Sequence, residues 1–216
     1  MKKHFILAAM LAAAPFAASA EDNGFSYTYV EGGYTQARVD NDDEFLGDFD
    51  AKGAYLRGSF GISPSFYVFG GFSRAKDDDS VTFDLGDEQV RVDVEDELTL
   101  AEGGVGYHMA MGERVDFLAE LSYLRLEEEV KVSAEGESEK ESFDNNAGRI
   151  AVGLRGGSER LEGWVKAGYI DGSDFSGEFV GTLGGQYKFN KTWGLVGEVE
   201  IFNDLTRFNA GVRASF

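Results

Sequence analysis

Apolar and polar residues alternate along most of the chain, and the period is two. In "WGLVGEVEIF", Leu195, Gly197, Val199 and Ile201 fall on one face and Val196, Glu198 and Glu200 on the other. "TRFNAGVRASF" sets Phe208, Ala210, Val212, Ala214 and Phe216 against Arg207, Asn209, Gly211, Arg213 and Ser215. The same alternation runs through "YTYVEGGYTQ", "AYLRGSFG", "LTLAEGGVGY", "VDFLAELSY", "AGRIAVGLRG", "LEGWVKAGY" and "EFVGTLGGQYKF". Side chains two apart share a face only in an extended strand, so each segment predicts a β-strand. "FYVFGGFS" is apolar on both faces and cannot be phased. No stretch shows a sustained helical period. Ten strands result, or eight if "FYVFGGFS" and a neighbour do not span.

The connections alternate in length. Short ones fall at Ser63-Pro64-Ser65, Met111 to Arg114, Gly157 to Arg160 and Asn190-Lys191. Long ones run from Asp40 to Asp50, Asp77 to Val94, Lys131 to Asn145 and Asp171 to Gly177. Short turns on one side and long loops on the other, joining apolar-out and polar-in strands, are the pattern of a transmembrane barrel. The expected fold is all-β: a single up-and-down antiparallel transmembrane β-barrel with short periplasmic turns and longer acidic extracellular loops. An even strand count puts both termini on the short-turn side.

"MKKHFILAAMLAAAPFAASA" adds a compartment. Lys2 and Lys3, an apolar run broken by Pro15, and Ala18-Ser19-Ala20 read as a signal peptide over 1–20, cleaved to leave a barrel over 21–216. The apolar run is shorter than the roughly 20 residues of a spanning helix. No cysteine follows it, so lipid modification of a new N-terminal Cys is excluded.

Charge refines the picture. Asp and Glu number 39 against 20 Lys and Arg, for a formal net charge of −19. Nucleic acid needs a basic face and is excluded as a partner. The polar faces hold both signs: Glu31, Glu102, Asp116, Glu120, Glu198 and Glu200, with Arg57, Arg149, Arg155, Lys166, Lys188, Arg207 and Arg213. Inside a narrow barrel such charges must pair, because unpaired buried charge is costly. These residues are the expected lumen charge network.

Candidate chemistry is sparse. His108 is the one histidine beyond the signal segment, and it sits near a short turn at the expected periplasmic rim. The acid runs "DNDDEFLGDFD", "KDDDS", "VDVEDE", "LEEEV" and "AEGESEKES" are expected to be solvated loops, with divalent cations as a weaker reading. "DNDDEF" lacks the glycine that an EF-hand loop carries at its sixth position. "EGGVGYH" and "GTLGGQ" lack the lysine of a phosphate-binding loop. "NKT" at Asn190 matches a glycosylation sequon by chance. No catalytic, cofactor or metal residues are expected.

The final "NAGVRASF" resembles the assembly signal of bacterial outer-membrane barrels, with Asn209, Gly211, Ala214 and Phe216 in its positions. Ala214 replaces the usual bulky residue. "LAAAPFAASA", "YTYVEGGY", "YVFGGFSRAK" and "GGVGYH" resemble the small outer-membrane barrel family of xanthomonads, within the OmpA-like and opacity-type superfamily. That family was once proposed as a quorum factor and as an activator of rice receptor-kinase immunity. The resemblance implies an outer-membrane barrel whose partners are outer-membrane lipids, lipopolysaccharide and the barrel-assembly machinery. It carries over no catalytic or ligand-binding residues. The expected function is a non-enzymatic barrel acting through acidic surface loops in envelope structure, adhesion or surface interaction. The alternatives are a small pore of low conductance, a soluble lipocalin-like carrier, and an outer-membrane enzyme with His108 as its one candidate residue.

Overall fold

A computed structural model describes residues 24–39, 49–84, 89–134, 137–173, 177–202 and 205–216. The signal segment 1–20 and nearly all of the acid run 40–50 lie outside the described residues. Ten strands follow in order: β1 (Tyr29–Val39), β2 (Phe49–Gly61), β3 (Phe66–Asp84), β4 (Gln89–Gly112), β5 (Val115–Ala134), β6 (Glu137–Gly157), β7 (Leu161–Gly172), β8 (Glu178–Lys188), β9 (Trp193–Phe202) and β10 (Leu205–Ser215). Each pairs antiparallel with its chain neighbours, and β1 pairs with β10, so the sheet closes on itself. Over the length that all ten strands share, closure leaves no unpaired edge, which is the condition for a sheet to exist in hydrocarbon, where no water can satisfy a free N–H.

The alternation sorts side chains as a membrane requires. Outward positions are apolar and exposed, among them Leu56, Val105, Leu121, Ile150, Val165, Leu183, Leu195 and Val212. Exposed aromatics ring both ends. Phe60, Phe66, Tyr187, Phe189 and Trp193 lie beside the short turns, and Phe72, Tyr123, Tyr169, Phe179 and Phe208 lie toward the other end. Two aromatic girdles flanking an apolar band define a bilayer-spanning surface.

The short turns are fixed by small polar side chains. Ser63 Oγ accepts from Phe66 N at 3.0 Å, and Ser158 Oγ accepts from Leu161 N at 3.1 Å. Asn190 Oδ1 accepts from Thr192 N at 2.9 Å and Trp193 N at 2.8 Å. The asparagine of the sequon is thus the cap that holds this hairpin, a turn role typical of its side chain.

Two expected loops are corrected. Asp77 to Val94 and Lys131 to Asn145 are largely strand: β3 and β4 stay paired out to Asp84 and Gln89, and β5 and β6 out to Ala134 and Glu137. At about 3.3 Å per residue, the 24 residues of β4 run roughly 80 Å, against roughly 35 Å for the 11 residues of β8. Dense charge suggested loops, but opposite charges meet across these strands. Arg74 Nε lies 2.5 Å from Glu97, Lys131 Nζ 3.2 Å from Glu95, and Lys140 Nζ 2.7 Å from Glu129. Each such pair is weak alone, but together they offset part of the repulsion between carboxylates that also face each other here, such as Asp77 and Asp96.

The unphased "FYVFGGFS" is a spanning part of β3, with Phe66, Val68 and Phe72 exposed outside. Tyr67 and Phe69 point in. Tyr67 fits because Gly106 on β4 has no side chain: a Cβ there would lie 2.1 Å from the ring. Gly184 serves Trp164 in the same way, at 2.3 Å. Gly184→Ala is expected to destabilise the barrel by about 1–3 kcal/mol through overpacking. Gly197→Ala, where nothing lies within 4 Å of the added carbon, should be near neutral. Urea unfolding in lipid vesicles checks both, and equal effects would refute the ring-over-glycine packing.

Candidate functional site: a layered lumen

The barrel interior is filled in three layers. At the short-turn end, residues before β1 fold back into the mouth. Phe25 and Tyr27 are buried there with Tyr67 and Leu118. Ser26 Oγ donates to Phe216 O at 2.8 Å and Phe216 N donates to Thr28 O at 2.9 Å, tying this segment to the end of β10. Tyr27 Oη donates to Asp116 at 2.8 Å, and its ring stacks on His108 at 3.9 Å. Arg155 lies over the rings of Phe25 and Tyr27, bonds Glu162 at 2.5 Å and donates to Ser26 O at 3.0 Å. Lys188 pairs with the same Glu162.

The middle layer is a set of ionic struts. Arg213 bonds Glu31 through Nε at 2.7 Å and Nη2 at 2.5 Å, with its guanidinium 4.0 Å from the Tyr29 ring centre. Tyr55 Oη donates to the other Glu31 oxygen at 2.8 Å. Arg57 on β2 reaches Glu198 on β9 at 2.9 Å, and Trp164 Nε1 donates to Glu198 at 2.8 Å. Lys166 and Tyr67 hold Glu120 at 2.9 and 2.7 Å. Arg149 on β6 bridges Glu102 on β4 and Glu200 on β9, the latter at 3.0 Å, and Arg207 takes the second Glu200 oxygen at 2.7 Å. Partners on non-adjacent strands can meet only through the interior.

These two layers hold Glu31, Glu102, Asp116, Glu120, Glu162, Glu198 and Glu200 with Arg57, Arg149, Arg155, Lys166, Lys188, Arg207 and Arg213. Seven of each sign balance, so the excess negative charge of the chain lies elsewhere. Sequence reasoning left Glu162 out of this set, although it sits on the polar face of β7 with Trp164 and Lys166. It also missed the tyrosines, because an inward aromatic carries the same apolar label as an outward one.

The third layer, at the long-strand end, is apolar. Ala37, Ala51 and Ala75 pack with Leu98 and Leu205, and Leu124, Ala147 and Ile170 pack with Leu100 and Phe202. The polar-in rule therefore holds for only part of the barrel's depth.

His108 is 5% exposed and sandwiched among aromatic rings, with Nδ1 3.9 Å from Asp116. It is in the lumen rather than on the rim. The four residues of the assembly-signal resemblance are spread along β10 and do not converge. Asn209 is buried in the lumen, Gly211 lies against Tyr55, Ala214 sits opposite Val30 and Trp193, and Phe216 bonds the segment before β1. Among the described residues no cluster of three or more His, Asp or Glu could hold a metal ion. Outside the bilayer, the Arg74 hydrogen bond, helped by one from Lys76, holds the Glu97 carboxyl below its ordinary range.

A closed antiparallel barrel with a lipid-facing apolar band and a polar-cored lumen is an integral membrane β-barrel of the bacterial outer-membrane kind. The chain belongs to the outer membrane protein beta-barrel domain family, whose model matches residues 5–216, and it resides in the bacterial outer membrane. It is similar to the translocator domain of the autotransporter NalP from Neisseria meningitidis, with 14% identity over 99% of this chain and 97% of that one and a TM-score of 0.58. It is also similar to Ail, the attachment invasion locus protein of Yersinia pestis, with 16% identity over 88% and 99% and a TM-score of 0.49. Neisserial surface protein A matches at 14% identity over 88% and 98%, with a TM-score of 0.41. The NalP likeness supports the fold alone. No curated protein matches the chain.

Proposed function

We propose that the protein is a non-enzymatic, non-conducting barrel that displays an acidic β-extension for surface interaction or adhesion. The observation that carries this reading is the continuation of β3 to β6 beyond their neighbours as a paired sheet. Its exposed residues include Asp78, Asp93, Glu95, Glu127, Glu128, Glu139, Glu141 and Asp144. A rigid strand scaffold holds such charges at fixed spacing, which favours a cationic partner over free counter-ions. Struts crossing the lumen, with the Phe25–Tyr27 segment in one mouth, oppose ion flow.

The test uses the barrel in phosphatidylcholine nanodiscs on a sensor coated with polylysine. Replacing 77–96 and 127–142 by short turns is expected to abolish retention while the barrel remains folded. Equal retention of both proteins would refute display as the role. In planar bilayers the intact protein is expected to give no stable conductance step; regular steps would establish the small-pore reading instead.

Residues 1–20 act as a cleaved signal peptide, and Asn209, Gly211, Ala214 and Phe216 act as the signal read by the barrel-assembly machinery. Deleting Phe216 is expected to lower the folded fraction in the outer membrane, and N-terminal sequencing of that fraction should begin at Glu21. Lipopolysaccharide is the expected lipid neighbour, with divalent cations bridging it to the acidic extension. The protein is a member of the xanthomonad small outer-membrane barrel family, a reading supported by "LAAAPFAASA", "YTYVEGGY", "YVFGGFSRAK" and "GGVGYH".

A further inference from the structure

The apolar layer of the lumen is not fully packed. A cavity of about 90 Å³ lies there, inside a wider space of about 750 Å³ that includes its mouth. Leu98, Leu100, Leu124, Ile170, Val180 and Leu205 form much of its wall. Its floor is the ionic layer, where Arg149 and Arg207 meet Glu200. Aliphatic wall left uncovered in such a space costs stability that an apolar occupant would restore.

A second observation points to what fills it. Thr35 Oγ1, Arg207 Nε and the Asn209 amide oxygen are buried with no hydrogen-bond partner in the protein. They form one patch, since Thr35 is directly opposite Asn209, and Arg207 opposite Ala37, across the β1–β10 pair. Thr35, only 2% exposed, and Arg207 line the cavity, and Asn209 lines the space just below. Buried polar atoms are almost always satisfied, so a cluster of three at the foot of an apolar cavity marks a missing partner.

We infer that the outer half of the lumen binds an uncharged single-chain amphiphile, with its alkyl chain among Leu98, Leu124 and Ile170 and its hydroxyl or carbonyl head on Thr35, Arg207 and Asn209. A hydroxyl head matches the patch well: it accepts from Arg207 Nε–H and donates to the Asn209 oxygen. The floor guanidiniums of Arg149 and Arg207 are already neutralised by Glu102 and Glu200, so no fixed charge is left to reward an ionic head. The net charge of −19 opposes an anion on approach. This inference does not rest on the display role and survives its failure.

The test is methyl NMR of the full chain in phosphatidylcholine nanodiscs, titrated with 1-octanol and separately with octanoate. Octanol is expected to give saturable shifts at the Leu98, Leu124 and Ile170 methyls. Leu124→Trp fills the cavity and should remove them, and Thr35→Val should weaken binding severalfold while leaving the spectrum of the free barrel intact. Shifts that rise without saturation, equally at the lipid-facing methyls of Leu121 and Leu183, would show membrane partitioning only and overturn the site. Unchanged binding in both variants would overturn it too, and octanoate binding as tightly as octanol would overturn the uncharged head.

Discussion

Arg213→Glu is expected to leave most of the protein unfolded in lipid vesicles. Arg213 is 3% exposed and its partner Glu31 1%. The substitution removes a charge-assisted hydrogen bond, a second ion-pair contact and the stacking on Tyr29, then sets a second carboxylate against the first. Glu31 keeps Tyr55 Oη and an Arg57 contact at 3.8 Å, but the new carboxylate opposes it in the same buried site. Breaking one buried ion pair costs about 3–5 kcal/mol. That approaches the whole stability of many domains, about 5–15 kcal/mol. Asp78→Lys on the exposed extension should change stability by under about 0.5 kcal/mol. The double swap Glu31→Arg with Arg213→Glu should recover part of the loss. The folded fraction on a heat-modifiability gel and the urea midpoint measure all three. Equal tolerance at 213 and 78 would remove the lumen role assigned to Arg213.

The second large effect lies on the opposite face. Leu183, at the middle of β8, is 65% exposed, while Phe179 at its outer end is 82% exposed. By solvent exposure alone both would tolerate charge. In a bilayer, Leu183→Arg is expected to cost about 2–4 kcal/mol and Phe179→Arg about 0–1, because the penalty falls from midplane to interface. Urea unfolding in phosphatidylcholine vesicles checks the gradient. Similar costs at the two positions would show that depth along β8 does not track the bilayer.

Much of this architecture was legible in the residues. Period-two alternation located nine of the ten strands, because a strand has only two faces and a bilayer tolerates charge on one. The pattern failed where that binary choice loses meaning. In "FYVFGGFS" both faces are apolar, and the phase was settled by Gly106, a strand away, which leaves room for Tyr67. In the acid runs, dense charge predicts loop. The strands continue there with Lys131, Lys140, Arg74 and Lys76 meeting carboxylates on the neighbouring strand, pairings that single-strand periodicity cannot show because it carries no register. The assembly-signal resemblance names four residues that the fold separates.

The sequence by itself determined the class of protein: alternating faces without helical periodicity, and an apolar face too continuous to be wetted. Only the tertiary structure decided who pairs with whom. Arg57 is 141 residues from Glu198, and Arg213 is 182 from Glu31. Those contacts, the inward aromatics and the aliphatic cavity above the arginines exist because closure of β1 on β10 brings distant strands across one narrow lumen. Alternation fixes the direction in which a side chain points, and closure fixes what it meets there.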